Sequence, residues 1–158
     1  MNNMKKLQEH GEYVVGRSQQ TIIFAARGPW NDETLLRGSK EVGQNIKHLN
    51  LLMPWGFISC LFGESLLTPS AYELFLKHTL IRKSMGMSCL AVVIQDSDVT
   101  NTIINQLTQA YLHAGLDYAF LENLDTALAF FKEREIDLDE QQVTHFFQQH
   151  MFVRPHHN

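Results

Sequence analysis

The chain has 158 residues, of which 44% are hydrophobic, with 13 Lys and Arg against 17 Asp and Glu, a net charge of -4 and a pI near 6.0. That length and apolar content suit one domain with a sizeable core. The slightly acidic balance removes the global attraction that draws proteins to phosphate backbones or anionic lipid, so neither nucleic acid nor membrane insertion is expected.

Residues 1–10 are polar, hold two lysines and contain no apolar run of signal-peptide length; they read as a flexible N-terminus. No later stretch has the unbroken apolar length of a membrane span, and the expected location is the cytoplasm. The α/β domain is expected over residues 11–135. Tyr13 to Val15 and Thr21 to Ala26 read as two strands of a hairpin joined by a Gly-Arg-Ser-Gln-Gln turn. From Asn31 to Asn50 apolar or small residues recur at Leu35, Leu36, Ser39, Val42, Ile46 and Leu49, the stripe of an amphipathic helix. Met53-Pro54 breaks it. "WGFISCLF", Trp55 to Phe62, then reads as a strand covered on both faces.

Thr68-Pro69 predicts the next helix start, with the threonine hydroxyl as cap and proline where no amide donor is missed. Its buried stripe is Tyr72, Phe75, Leu76, Thr79 and Leu80, and Gly86 stops it. "CLAVVI", Cys89 to Ile94, predicts a central parallel strand. Val99, Ile103, Leu107, Ala110 and Tyr111 give a third helix ending near Gly115; Tyr118 to Leu121 a short strand; Leu124, Leu128 and Phe131 a helix capped by Asn123 or Asp125. This order, β-β-α-β-α-β-α-β-α, predicts a mainly parallel sheet with helices packed on it. Residues 136–158 predict one more helix as a C-terminal extension, opened by Asp139 with Gln142 and carrying Val143, Phe146, Phe147 and Met151. Its aromatic pair needs cover, from the domain or from a second copy in a homodimer.

Motifs for chemistry are sparse. Neither G-x-G-x-x-G nor G-x-x-x-x-G-K-[ST] occurs, so no nucleotide cofactor is expected. Cys60 and Cys89 sit in apolar strands and read as reduced, buried thiols. His10, His48, His78 and His113 are scattered singly; His145 and His150, five apart, fall on different sides of a helix; His156-His157 close the chain. No metal site is expected. "GES" at Gly63 to Ser65 lacks the second glycine of a nucleophile elbow and reads as a strand exit, so no catalytic residue is assigned. Asp32-Glu33 and Asp96, Asp98 stand at helix starts, where the positive end of the helix dipole accounts for them. In "ARGPWNDETL", Gly28-Pro29 turns the chain out of its strand and Asn31 caps the helix. Trp30 is left to staple that helix against Leu35 or to face a ligand.

The element order, the "ARGPWNDETL" helix entry, Ala114-Gly115-Leu116, Phe120 and Asp125-Thr126-Ala127-Leu128 together resemble the STAS-like family, the fold of bacterial anti-sigma-factor antagonists. The resemblance covers residues 12 to 134 and rests on pattern. It implies a partner-binding domain that, in phospho-switching members, carries Asp-Ser-Ser-Gly at the helix after the central strand. Here Thr68-Pro69-Ser70-Ala71 stands in that place, with proline at the serine position, so a standard serine switch is not expected. Ser70 lies one residue on, at a helix N-terminus that tolerates a phosphate.

Three functions follow. The first is a non-enzymatic regulatory or protein-interaction domain with an unidentified protein partner, using Ser65, Thr68, Ser70, Tyr72 and the surface around Gly63 to Ser70. The second, implied by lipid-carrier-like STAS relatives, is a module for a small apolar ligand or lipid, with Trp30, Trp55, Phe62 and Phe75 lining a pocket. The third is an unrecognised enzyme.

Overall fold

In the computed structural model, which describes residues 11–151, five strands and five helices alternate among those residues. In chain order they are β1 (Glu12–Ser18), β2 (Thr21–Arg27), α1 (Asp32–Ile46), β3 (Trp55–Phe62), α2 (Pro69–Ser84), β4 (Met87–Gln95), α3 (Thr100–Ala114), β5 (Asp117–Leu121), α4 (Leu124–Glu133) and α5 (Glu140–Gln149). The sheet runs β1-β2-β3-β4-β5, antiparallel between β1 and β2 and parallel thereafter. This is the single-domain, mainly parallel α/β fold with an N-terminal hairpin that the sequence predicts. Among the described residues no helix is long and apolar enough to cross a membrane.

β3 is buried along its whole length because both faces of the sheet are covered. Phe57 and Leu61 point into a core shared with α1, α2 and α3, while Ile58, Cys60 and Phe62 point into a second core under α4 and α5. Local signals set the helix ends. Asn31, Thr68, Asn123 and Asp139 each accept a backbone N–H of the turn that they open. Gly86 and Gly115, the two predicted stops, have φ of 100° and 68°, the left-handed region that glycine enters without a steric penalty.

Four sequence expectations are corrected. Gly16, Arg17 and Ser18 are strand, not turn: they pair with Ile23, Ile22 and Thr21, leaving only Gln19-Gln20 as the loop. The tail explains why turn-like composition is overridden, since Ser18 Oγ donates to Gln142 Oε1 (2.7 Å) and accepts from Asp139 N (2.9 Å). The first helix ends at Ile46 rather than Asn50, because the amides of His48 and Leu49 bond back only three residues, to Asn45 and Ile46. Leu36 and Leu80, assigned to buried stripes, are 49% and 41% exposed. α2 lies chiefly against α1 and α3 rather than on the sheet, so its covered arc is narrow.

α5 packs on the second face. Val143 and Phe147 are buried there beside Ile23, Ala25 and Ile136. Phe146 lies over Gly16 so closely that a Cβ at that position would stand 2.9 Å from its Cε1. The cover that Phe146 and Phe147 require is thus supplied within this chain.

Candidate functional site

The chain leaves β2 at Arg27, passes the cis Gly28–Pro29 bond and enters α1 through Trp30. Trp30 is held like a strand residue: its N–H donates to Leu66 O at 2.8 Å and its carbonyl accepts from Thr68 N at 3.1 Å. The loop carrying those partners is fastened to α3 by Gln106, whose side-chain amide accepts from Leu67 N (3.0 Å) and donates to Leu67 O (3.1 Å). Ser65 closes the joint, donating to Phe62 O at 3.0 Å and accepting from Gly28 N at 3.2 Å. Its proton is committed to a carbonyl, and no base faces it in these bonds. Asp96 forms an ion pair with Arg27 instead of serving only the helix that follows, which Val99 opens without a side-chain cap.

Beneath that joint, between the sheet and the layer of α1, α2 and α3, lies a cavity of about 90 Å³. Trp30, Leu35, Phe57, Leu61, Leu90 and Leu107 supply its apolar wall. The space exists because small side chains face one another across it: Gly38 and Ser39 on α1, Ser59 on β3 and Thr79 on α2. Trp30 is 5% exposed and packs in a tilted arrangement 5.8 Å from Phe24 and 6.1 Å from Tyr13, which fixes the ring as a wall.

One part of this cavity is not apolar. Arg82, on the last turn of α2, leans over the Phe57 ring at 5.5 Å from its centroid and donates through Nη2 to Ser39 Oγ at 3.2 Å. The same Ser39 Oγ is hydrogen-bonded to His78 Nδ1 at 2.8 Å, with the imidazole tautomer setting which of the two donates. Among the described residues no carboxylate pairs with Arg82. Burial accordingly pushes its guanidinium down to about 10, still cationic at neutral pH. Tyr111, 5% exposed, lines the same space; burial raises its phenol well above the ordinary 10.0, against a smaller opposing effect of Arg82. No hydrogen bond joins its hydroxyl or that of Ser59 to a described residue, yet neither is a sealed, unsatisfied group. Burial and the cations Arg82 and Lys77 hold His78 below 6.5.

The predicted site residues divide. Trp30, Ser65 and Phe75 line the cavity. Trp55 and Phe62 do not: Trp55 is fully buried at the start of β3 with its indole N–H on Met85 O (3.2 Å), and Phe62 faces the second core. The alternation of β3 separates Phe62 from Leu61, which a continuous apolar run conceals. Thr68 is the α2 cap, and Tyr72 is half-buried against the first core. Ser70 is exposed and donates to Asp32 Oδ1 at 2.7 Å, so a phosphoryl group there would meet a carboxylate at once. Arg82 and the polar role of Tyr111 escaped the sequence reading. The available signal was spacing: Arg82 follows Phe75 and Thr79 at seven and three residues on the covered face of α2, where a cation is out of pattern.

His78 is bound in the network above, His48, His113 and His145 are exposed, and the His150 ring lies tilted against Phe146 at 4.9 Å. His10, His156 and His157 lie outside the described residues. Among the described residues no group of three His, Cys, Asp or Glu is placed to hold a metal ion. Compared with family models, curated proteins and solved structures, the chain finds no match.

Proposed function

We propose that this protein is a small-molecule-binding module whose ligand sits in the cavity between the sheet and α1, α2 and α3. The observation that carries the reading is the cavity itself: a space of about 90 Å³ walled by rigid aromatic and aliphatic side chains, with a few polar groups converging on it. An apolar cavity of roughly 150 Å³ holds a benzene molecule, so the part of a ligand enclosed here is smaller, of the size of a propyl or isopropyl group. Nucleotides and flavins are far too large for it. The order of elements is the one that the STAS-like resemblance implies, and with Pro69 in place of the switch serine, ligand binding is a fuller use of this scaffold than phosphorylation.

Methyl-resolved NMR under xenon pressure tests the reading. Xenon enters apolar cavities without polar recognition, so shifts should concentrate on Leu35, Leu61, Leu90 and Leu107 and spare Ile23 and Val143 on the other face. Uniformly small shifts, or shifts confined to surface methyls, would sink it.

A second reading, as a non-enzymatic regulatory or protein-interaction domain, draws support from one patch. Leu51, Leu52 and Met53, between α1 and β3, are 46%, 97% and 41% exposed. Three consecutive exposed apolar side chains suit a protein partner. Leu52→Asp should abolish capture of such a partner while leaving the xenon shifts intact.

A further inference from the structure

Resting on the ligand-binding reading, we propose that the cavity recognises a short-chain carboxylate, with the carboxylate on Arg82 and Tyr111 and an apolar tail of about three carbons against Phe57, Leu90 and Leu107. The apolar wall alone is indifferent to charge. What selects the anion is the pair of donors at one end: a guanidinium with five N–H groups of which one is engaged by Ser39, and a phenol, 95% buried, that donates to none of the described residues. The Tyr111 hydroxyl, on a residue that is 5% exposed and lines the cavity, is left able to donate to a carboxylate oxygen there. The guanidinium likewise gains the bidentate partner for which its geometry is suited. Ser59, which also lines the cavity, suits a ligand bearing one further polar atom, such as a hydroxy acid.

Cavity size limits the candidates. About 90 Å³ is room for a four- or five-carbon acid and not for a fatty acyl chain. An inorganic anion would satisfy the donors and leave the leucine wall uncovered.

The test compares isobutyrate with isobutyramide, equal in shape and differing in charge, by Trp30 fluorescence in a Trp55→Phe protein, where Trp30 is the one tryptophan left. Isobutyrate should bind on the order of tenfold or more tightly than the amide, and inorganic phosphate should not compete. Arg82→Met should remove that preference by weakening the acid and sparing the amide; Tyr111→Phe should weaken the acid by a few-fold, on the order of one neutral hydrogen bond. Equal binding of acid and amide, or an acid affinity unchanged in Arg82→Met, would overturn the carboxylate assignment and leave the cavity reading standing. Phosphate competing as well as isobutyrate would overturn it too, as an anion site without an apolar tail. Absence of acid, amide and xenon binding together would strike the underlying reading instead.

Discussion

The Arg82 guanidinium lies 5.5 Å from the centroid of the Phe57 ring, and its one hydrogen bond to the described residues goes to the hydroxyl of Ser39. A cation placed there costs desolvation that neither the ring nor a neutral hydroxyl fully returns. Arg82→Met keeps the length of the stem and removes the charge. We expect the variant to be more stable than the wild type by about 1 kcal/mol in urea denaturation, because no carboxylate is stranded by the change. A loss of more than about 2 kcal/mol would mean that Arg82 is a structural tie and not a binding group.

His78 gives the stability of the fold a dependence on pH. Burial, Arg82 and Lys77 keep it below its ordinary 6.5 in the folded chain. As pH falls through that ordinary value, the unfolded chain takes up a proton that the folded chain still refuses, so the equilibrium moves toward unfolding; the loss levels off below the folded value. Stability measured from about pH 7.5 down to about pH 5 should therefore decline less in His78→Gln than in the wild type. Parallel curves for the two proteins would assign the decline to other groups.

Cys60 and Cys89 are 4% and 1% exposed, and burial pushes both thiols up to about 12. Since the thiolate is the reactive species, the native protein should leave a disulfide reagent unconsumed at about pH 8, and both thiols should react at once in denaturant. Rapid labelling of either in the native state would show that the β3–β4 centre opens far more readily than its packing implies.

Phe147, 6% exposed, anchors α5 to the second face. Phe147→Ala should lower stability by roughly 3 kcal/mol, with Phe146→Ala, half-buried above Gly16, costing less. Urea midpoints decide the order. Equal, small effects would mean that the tail docks weakly and that its aromatics serve another contact.

Much of this fold was legible because local chemistry marks it. Thr68-Pro69, Asn123 and Asp139 announce helix starts through hydrogen bonds made within one turn, and the β-branched run Cys89 to Ile94 announces a strand closed to water on both sides. What was hidden depends on the third dimension. Nothing local tells Gly16 to Ser18 that α5 will return from residue 140 to hold them extended. The cavity is hidden for the same reason. Gly38, Ser39, Ser59 and Thr79 each read as an unremarkable small residue, and only the stacking of α1, β3 and α2 sets their missing volume in one place. Trp30, conspicuous in the sequence, does line that place, whereas Trp55, equally conspicuous, gives its indole N–H to the Met85 carbonyl and lies outside the lining.

The two bonds between Gln106 and Leu67 let a side-chain amide do the work of a neighbouring strand, and with the Trp30 pairing they weld shut the rim where parallel sheets usually admit ligands. Ser39 and Arg82, at the seam between α1 and α2, keep partial contact with solvent, so a ligand of the proposed kind would enter there. The rate of exchange would be set by how often two helices part by a side chain's width, so that tightening this seam should lengthen residence without touching a single contact of the bound molecule.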